Sequence, residues 1–370
     1  GVGPALVVMF AGVSAALHVA KVFPALPVIR ELFGMTLVQS GFLLSIVQLA
    51  GMALGLAVGL LADGLGLKRC MLAGLMMLFG AGALGGWAQS AISLIALRMI
   101  EGAGFLLVCT PAPALIRHLV APASLGRVLG IWSTYMPLAT ALALLIGPAL
   151  IALAGWQSLW WILSALSLGM ALLLWHFVPG GADQSTEGGP KATSAGWLMR
   201  LRHTLTARGP WLVALAFAMY ASQWVSVIGF LPSIYRQAGY PVSLTALLTA
   251  LAAAVNIAGN VASGRLLARG IPPQSLMYTG FVVMALMAAV AFVPMPASLI
   301  SSGSWESQAP MLTAIRYLAV LAFSLVGGMI PGTLFSMAVL LAPARDAVST
   351  TVGWMQQWSA IGQFSGPPLV

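Results

Sequence analysis

The amino-acid sequence predicts an all-α integral membrane protein, a bundle of long apolar helices. Three observations carry this prediction. Hydrophobic residues make up 60% of the 370 positions and charged residues only 6%, whereas soluble domains carry about 25% charged residues. A water-soluble fold cannot cover itself with so few polar side chains, but a lipid-facing surface needs none. Apolar runs recur at a length near 20 residues, which crosses about 30 Å of hydrocarbon. Basic residues, finally, collect in alternate connections between those runs.

Eleven runs qualify as spans: 5–29, 38–61, 70–89, 91–117, 127–153, 157–178, 210–235, 243–267, 274–293, 311–341 and 347–370. With the N-terminus inside, the cytoplasmic connections receive Lys68, Arg69, Arg117, Arg127, Lys191, Arg200, Arg202, Arg208, Arg265, Arg269 and Arg345. The opposite side receives only Arg30 and Arg236, and Lys21, Arg98 and Arg316 fall inside spans. Such asymmetry sets orientation, so a multi-pass protein of the cell inner membrane with a cytoplasmic N-terminus is expected. The net charge of +9 is therefore topogenic and no nucleic-acid partner is expected. Cys70 and Cys109 give neither a disulfide framework nor a metal-ligand spacing. No cofactor and no cleavable signal peptide are expected.

One polar stretch, 179–209, divides the runs. It reads as a cytoplasmic linker, flexible in its Gly- and Ser-rich first part and basic at its end, between an N-terminal half (1–178) and a C-terminal half (210–370). The halves resemble each other. Leu26-Pro27-Val28-Ile29 and Leu231-Pro232-Ser233-Ile234 match at an offset of 205, and Gly59-Leu60-Leu61-Ala62 falls over Gly264-Arg265-Leu266-Leu267 at the same offset. Duplicated halves with a site between them are a common plan of secondary transporters.

The connection after the second run reads Gly59-Leu-Leu-Ala62-Asp63-Gly-Leu-Gly66-Leu-Lys68-Arg69. It resembles the signature loop of the major facilitator superfamily at Gly59, Leu61, Ala62, Asp63, Gly66 and Lys68, and departs from it at Gly64 and Leu67. Leu94, Arg98, Glu101, Gly102 and Gly104 resemble the family's motif in the fourth span, with Glu101 where Gln is commoner. Gly147-Pro148 stands where the antiporter motif would be, without most of its glycines. Phe23–Glu31, Gly327–Pro331 and the Gly362-Gln363 and Gly366-Pro367 pairs resemble the cyanate/nitroimidazole-permease-like branch. The resemblance implies two pseudo-symmetric six-helix halves and a twelfth span beyond Val370. It also implies a gating loop of Gly59, Asp63, Gly66, Lys68 and Arg69, in which Asp63 meets the start of the eleventh span near Asp346–Ser349. Ala268 occupies the corresponding position in the second half.

Ionisable residues at membrane depth cost about 2.5–3.5 kcal/mol each even on lenient scales, so they mark sites. His18 and Lys21 share one helix face, as do Arg98 and Glu101, each pair being i and i+3. Arg98 and Glu101 read either as a structural pair or as part of a site. Lys21 reads either as cavity-facing or as snorkelling, and Arg316 as a cavity cation or a boundary marker. The resemblance implies that spans 1, 4, 7 and 10 converge on a central cavity, which would gather Lys21, Arg98 and Arg316 around one carboxylate. An anionic substrate follows, with His18 beside it and Glu101 as the candidate for proton coupling. Tyr220, Gln223 and Trp224 form a second candidate face, and Trp354 and Gln357, with Trp358, a third. Trp156, Trp160 and Trp161 read as interfacial anchors, and Pro111, Pro137, Pro148 and Pro331 as sites of helix bending. The expected function is secondary transport of a small organic or cyanate-like anion by a monomer among membrane lipids, coupled to protons. Efflux of amphipathic compounds is the alternative. A lipid enzyme is disfavoured, because no paired catalytic carboxylates, Gly-x-Ser-x-Gly elbow or phosphate loop is visible.

Overall fold

A computed structural model describes residues 2–180, 194–293 and 305–366. Residues 181–193 of the expected linker, Lys191 among them, and 367–370 of the last expected span lie outside these, as does the Arg236 side chain. Every regular element among the described residues is helical. In chain order they are α1 (Val2–Ala20), α2 (Val22–Leu32), α3 (Leu37–Leu65), α4 (Leu67–Gly85), α5 (Ala91–Cys109), α6 (Ala112–Leu119), α7 (Pro122–Trp132) and α8 (Tyr135–Ala154). There follow α9 (Trp156–Phe177), α10 (Ser194–Thr206), α11 (Arg208–Gln237), α12 (Val242–Ala268), α13 (Pro273–Phe292), α14 (Trp305–Gly327), α15 (Met329–Leu340) and α16 (Val348–Ser365).

Four of these boundaries divide spans rather than separate them, and proline sets each one. The breaks fall at Lys21, Thr110, Thr134 and Gly328, and a proline stands three residues further on in every case: Pro24, Pro113, Pro137 and Pro331. Proline has no N–H for the carbonyl four residues back, and its ring crowds that carbonyl, so the helix opens just before it. Pro148 lies inside α8 without a break. Once the divided pieces are rejoined, ten spans among the described residues are long and apolar enough to cross a membrane. The eleventh expected span is present as α16, which falls below that level of hydropathy. Its Ser349, Thr350, Thr351, Gln356 and Ser359 are buried in protein, and it packs against α3 and α11 rather than turning an apolar surface to lipid.

The two halves meet along two seams. In one, α16 lies against α3, and in the other α12 lies against α7 and α8. Small residues allow the approach. A Cβ on Gly59 would collide with the Ser349 carbonyl, and one on Gly130 would stand 2.7 Å from the Gly264 Cα. Helix α10 crosses the basic face between the halves, where Arg200 reaches Asp346 at 3.8 Å. Two of the three tryptophans read as interfacial anchors are buried instead. Trp156 and Trp160 are 3% and 0% exposed, packed in the core behind α2 and α4, while Trp161 is exposed. The reason is local: Trp160 covers a charged side chain described below.

Candidate functional site

Helix α1 ends at the Lys21 break, which leaves last-turn carbonyls open to outside donors. Arg98 of α5 takes two of them: its Nη1 donates to His18 O at 2.5 Å and its Nη2 to Val19 O at 3.3 Å. A guanidinium suits the negative end of a helix dipole. Nη1 also pairs with Glu101 Oε2 at 2.7 Å, one turn further along α5. The other carboxylate oxygen, Oε1, accepts from Lys21 Nζ at 2.5 Å and lies 3.2 Å from His18 Nδ1. The Lys21 ammonium sits 4.4 Å from the Trp160 ring centroid, a cation–π contact. His18 Nε2 faces Leu163 O and Ser167 Oγ of α9. Gly82 of α4 makes room: a Cβ there would collide with Ser164 Oγ and stand 2.8 Å from His18 Cε1.

His18, Lys21, Arg98 and Glu101 are 0%, 0%, 1% and 2% exposed. They form one closed cluster inside the N-terminal half, two cations and a histidine on one carboxylate. With His18 neutral the cluster carries an excess positive charge. It does not line the central cavity, but Val19, whose carbonyl it holds, does.

The cavity itself encloses about 100 Å³ between the halves. One wall is aromatic. Trp132 stacks on Tyr135 at 4.8 Å, Tyr135 meets Phe105 and Phe335 at 6.3 Å each, and Phe335 meets Phe217 at 5.8 Å. Of these, Phe105, Tyr135, Phe217 and Phe335 line the space together with Tyr220 and Trp224. The polar lining is neutral: Gln48, Ser133, Asn256, Gln356, Ser359 and Gln363. Several of these are held in place. Gln356 Nε2 donates to Tyr135 OH at 3.1 Å, and Asn256 Nδ2 donates to Tyr220 OH at 3.1 Å and to Ser324 O at 2.8 Å. Trp224 Nε1 donates to Ser324 Oγ at 3.2 Å. Gln48 Oε1 is buried without a partner, an acceptor available to a solute.

The structure thus brings His18, Lys21, Arg98 and Glu101 together behind the cavity wall, and puts Tyr220 and Trp224 on the wall. Gln357 is turned away, accepting from Leu56 N of α3 at 2.9 Å, while its neighbour Gln356 faces inward. Trp354 packs with Trp211 and Trp358. Gln223 is half-buried outside the lining. Arg316 lies apart from the cluster, where its Nη2 donates to Val293 O at the end of α13. Sequence reasoning missed Gln48, Tyr135, Gln356 and Gln363. Gln48 was visible as an amide in the middle of an apolar run. The aromatic wall had no local signal, because it assembles from five helices.

On the basic face, Asp63 accepts from Ser349 N at 3.0 Å, Thr350 N at 2.6 Å and Thr350 Oγ1 at 2.7 Å. A carboxylate at the first free N–H groups of a helix is favoured by both hydrogen bonding and dipole. Lys68 Nζ donates to Trp175 O and Val178 O at the end of α9, at 2.9 and 2.6 Å. Gly66 turns the chain between α3 and α4 at φ +110°, a conformation that strains any other residue. Arg69 is exposed.

A bundle of two helical halves around a central, solute-sized cavity, closed along both seams, is the architecture of a membrane transporter. The chain belongs to the Major Facilitator Superfamily, whose family model matches residues 5–367. Among curated relatives it is 28% identical over 319 residues to the probable sulfoacetate transporter SauU of Cupriavidus necator, covering 81% of this chain and 71% of that one. It is 32% identical over 158 residues to a methylenomycin A resistance protein of Bacillus subtilis, covering 42% of this chain and 33% of that one. Among solved structures, the proton:xylose symporter XylE superposes with a TM-score of 0.75 at 14% identity, over 99% of this chain and 88% of that one. At that identity the likeness concerns the fold.

Proposed function

We propose that this protein is a proton-coupled secondary transporter of a small organic anion, working by alternating access with its N-terminus and basic face at the cytoplasm of the inner membrane. The observation that carries the reading is the surplus positive charge of the Lys21–Arg98–Glu101 cluster, buried directly behind Val19 of the cavity wall. In a medium of low dielectric that charge favours a negative solute in the cavity, and the neutral amides and hydroxyls of the wall supply its hydrogen bonds. The relative whose name specifies sulfoacetate, a small organic anion, supports the same class. Asp63, bonded to the start of α16, would hold the basic face shut while the cavity loads.

Uptake into proteoliposomes tests this, using sulfoacetate, simple monocarboxylates, cyanate, organic cations and neutral dyes, with and without a pH gradient. Accumulation of the anions, driven by the gradient, is the expected result. Preference for cations overturns the charge argument. The aromatic wall and the absence of a charged residue from the described lining favour a second reading, export of amphipathic compounds. Transport of the dyes and not of the anions selects it.

A further inference from the structure

His18 holds two ring nitrogens with unlike surroundings. Nε2 lies 3.1 Å from Leu163 O and 2.9 Å from Ser167 Oγ. A carbonyl can only accept, so Nε2 carries hydrogen whatever the state of the ring. Nδ1 lies 3.2 Å from Lys21 Nζ and also 3.2 Å from Glu101 Oε1. An ammonium can only donate, and a carboxylate can only accept. Without a proton, Nδ1 accepts from Lys21; with one, it donates to Glu101. Either state is satisfied without moving a side chain.

Glu101 lacks that freedom. Its Oε1 holds the Lys21 ammonium and its Oε2 the Arg98 guanidinium, so a proton on either oxygen cancels the charge that holds both cations. The other elements around His18 present no further titratable group among the described residues. Helix α9 offers Leu163 O and Ser167, and α4 offers Gly82 beside Ser164 of α9. Lys21, Arg98 and Glu101 are therefore the charges that His18 feels.

We infer that His18 Nδ1, rather than Glu101, takes up and releases the coupling proton. The inference rests on the proton-coupled reading above. Protonation turns the imidazole into an imidazolium and raises the cluster's charge by one, against the repulsion of Lys21 and Arg98. An anion arriving at Val19 offsets that repulsion, so solute and proton each favour the other's binding, reciprocally.

The test combines flux with a direct view of the nitrogen. In proteoliposomes, sulfoacetate and acetate are followed together with proton movement. His18→Gln is expected to keep solute counterflow while losing gradient-driven accumulation by about tenfold or more. In the full chain with His118, His176 and His203 replaced by Gln, the imidazole ¹⁵N spectrum then reports His18 alone. Adding solute at fixed pH is expected to shift Nδ1 toward its protonated form. Gly82→Ala, which pushes on the His18 ring without altering any charge, is expected to weaken coupling in the same direction. Wild-type anion flux without proton flux fails the coupled reading, and the inference with it. Wild-type coupling that survives in His18→Gln, or an Nδ1 signal indifferent to solute, overturns the inference alone.

Discussion

The two halves hold their buried polar groups differently. The N-terminal half keeps four ionisable side chains in one cluster, held by one another and by backbone carbonyls and hidden behind Val19. The C-terminal half holds a neutral network: Tyr220, Asn256, Ser324 and Trp224, extended by Asn260, whose Nδ2 donates to Asn256 Oδ1 at 2.8 Å. Tyr220, Trp224 and Asn256 face the cavity, and the charged residues do not. The contrast follows from cost. An ion in a dry interior needs every partner it can reach, whereas an amide can leave one face open to a solute. The basic-face connections differ too: Asp63 bonds the start of α16, while Ala268 at the repeated position is exposed and has no charge to offer.

The comparison breaks most sharply at Glu101. Glu101→Ala leaves Lys21 and Arg98 buried without their anion and is expected to cost about 3–5 kcal/mol, read as a lowered Tm in detergent. The double variant Lys21→Met with Glu101→Gln removes the opposed charges together and is expected to recover about 2 kcal/mol or more of that loss. No recovery would mean that the two residues do not act as a unit. Asp63→Asn weakens three bonds to a charged group, expected at about 1.5–3 kcal/mol. It shifts the equilibrium toward a state open at the basic face, measurable as a longer distance between spin labels at the exposed Leu65 and Arg345. In the neutral network Asn256→Ala is expected to cost about 0.6–1.7 kcal/mol, the range for hydrogen bonds between membrane helices. Ala268→Asp should change stability by less than about 0.5 kcal/mol, as for an exposed site. A gain matching the loss in Asp63→Asn would make the two connections equivalent.

Much of the fold was legible in composition and run length, because a bilayer imposes both. Pro137 and Pro331 were legible as bends, but Pro24 and Pro113 were not, Pro148 breaks no helix, and the spacing rule, a break three residues before Pro24, Pro113, Pro137 and Pro331, emerged only with the backbone. In the site, i and i+3 spacing joined His18 to Lys21 and Arg98 to Glu101. Whether those faces met each other or the cavity depended on the rotation of α1 and α5, which spacing does not encode. Gln356 and Gln357 show how fine that limit is. One residue, a rotation of about 100°, separates a side chain on the cavity from one bonded to α3. Arg316 looked like a third cation because its position along the chain matched, yet it caps the end of α13.

The seam between α3 and α16 is fastened unevenly. Its basic end carries the three bonds of Asp63, its middle sets Gly55 against Gly353 beside one bond from Leu56 N to Gln357 Oε1, and its other end has a single amide contact, Gln48 Nε2 to Gln363 Oε1 at 3.3 Å. A joint graded in this way behaves as a zipper with a strong and a weak end. Local opening is expected to begin at the glutamines and to reach the aspartate last, as a zipper parts from its weaker end.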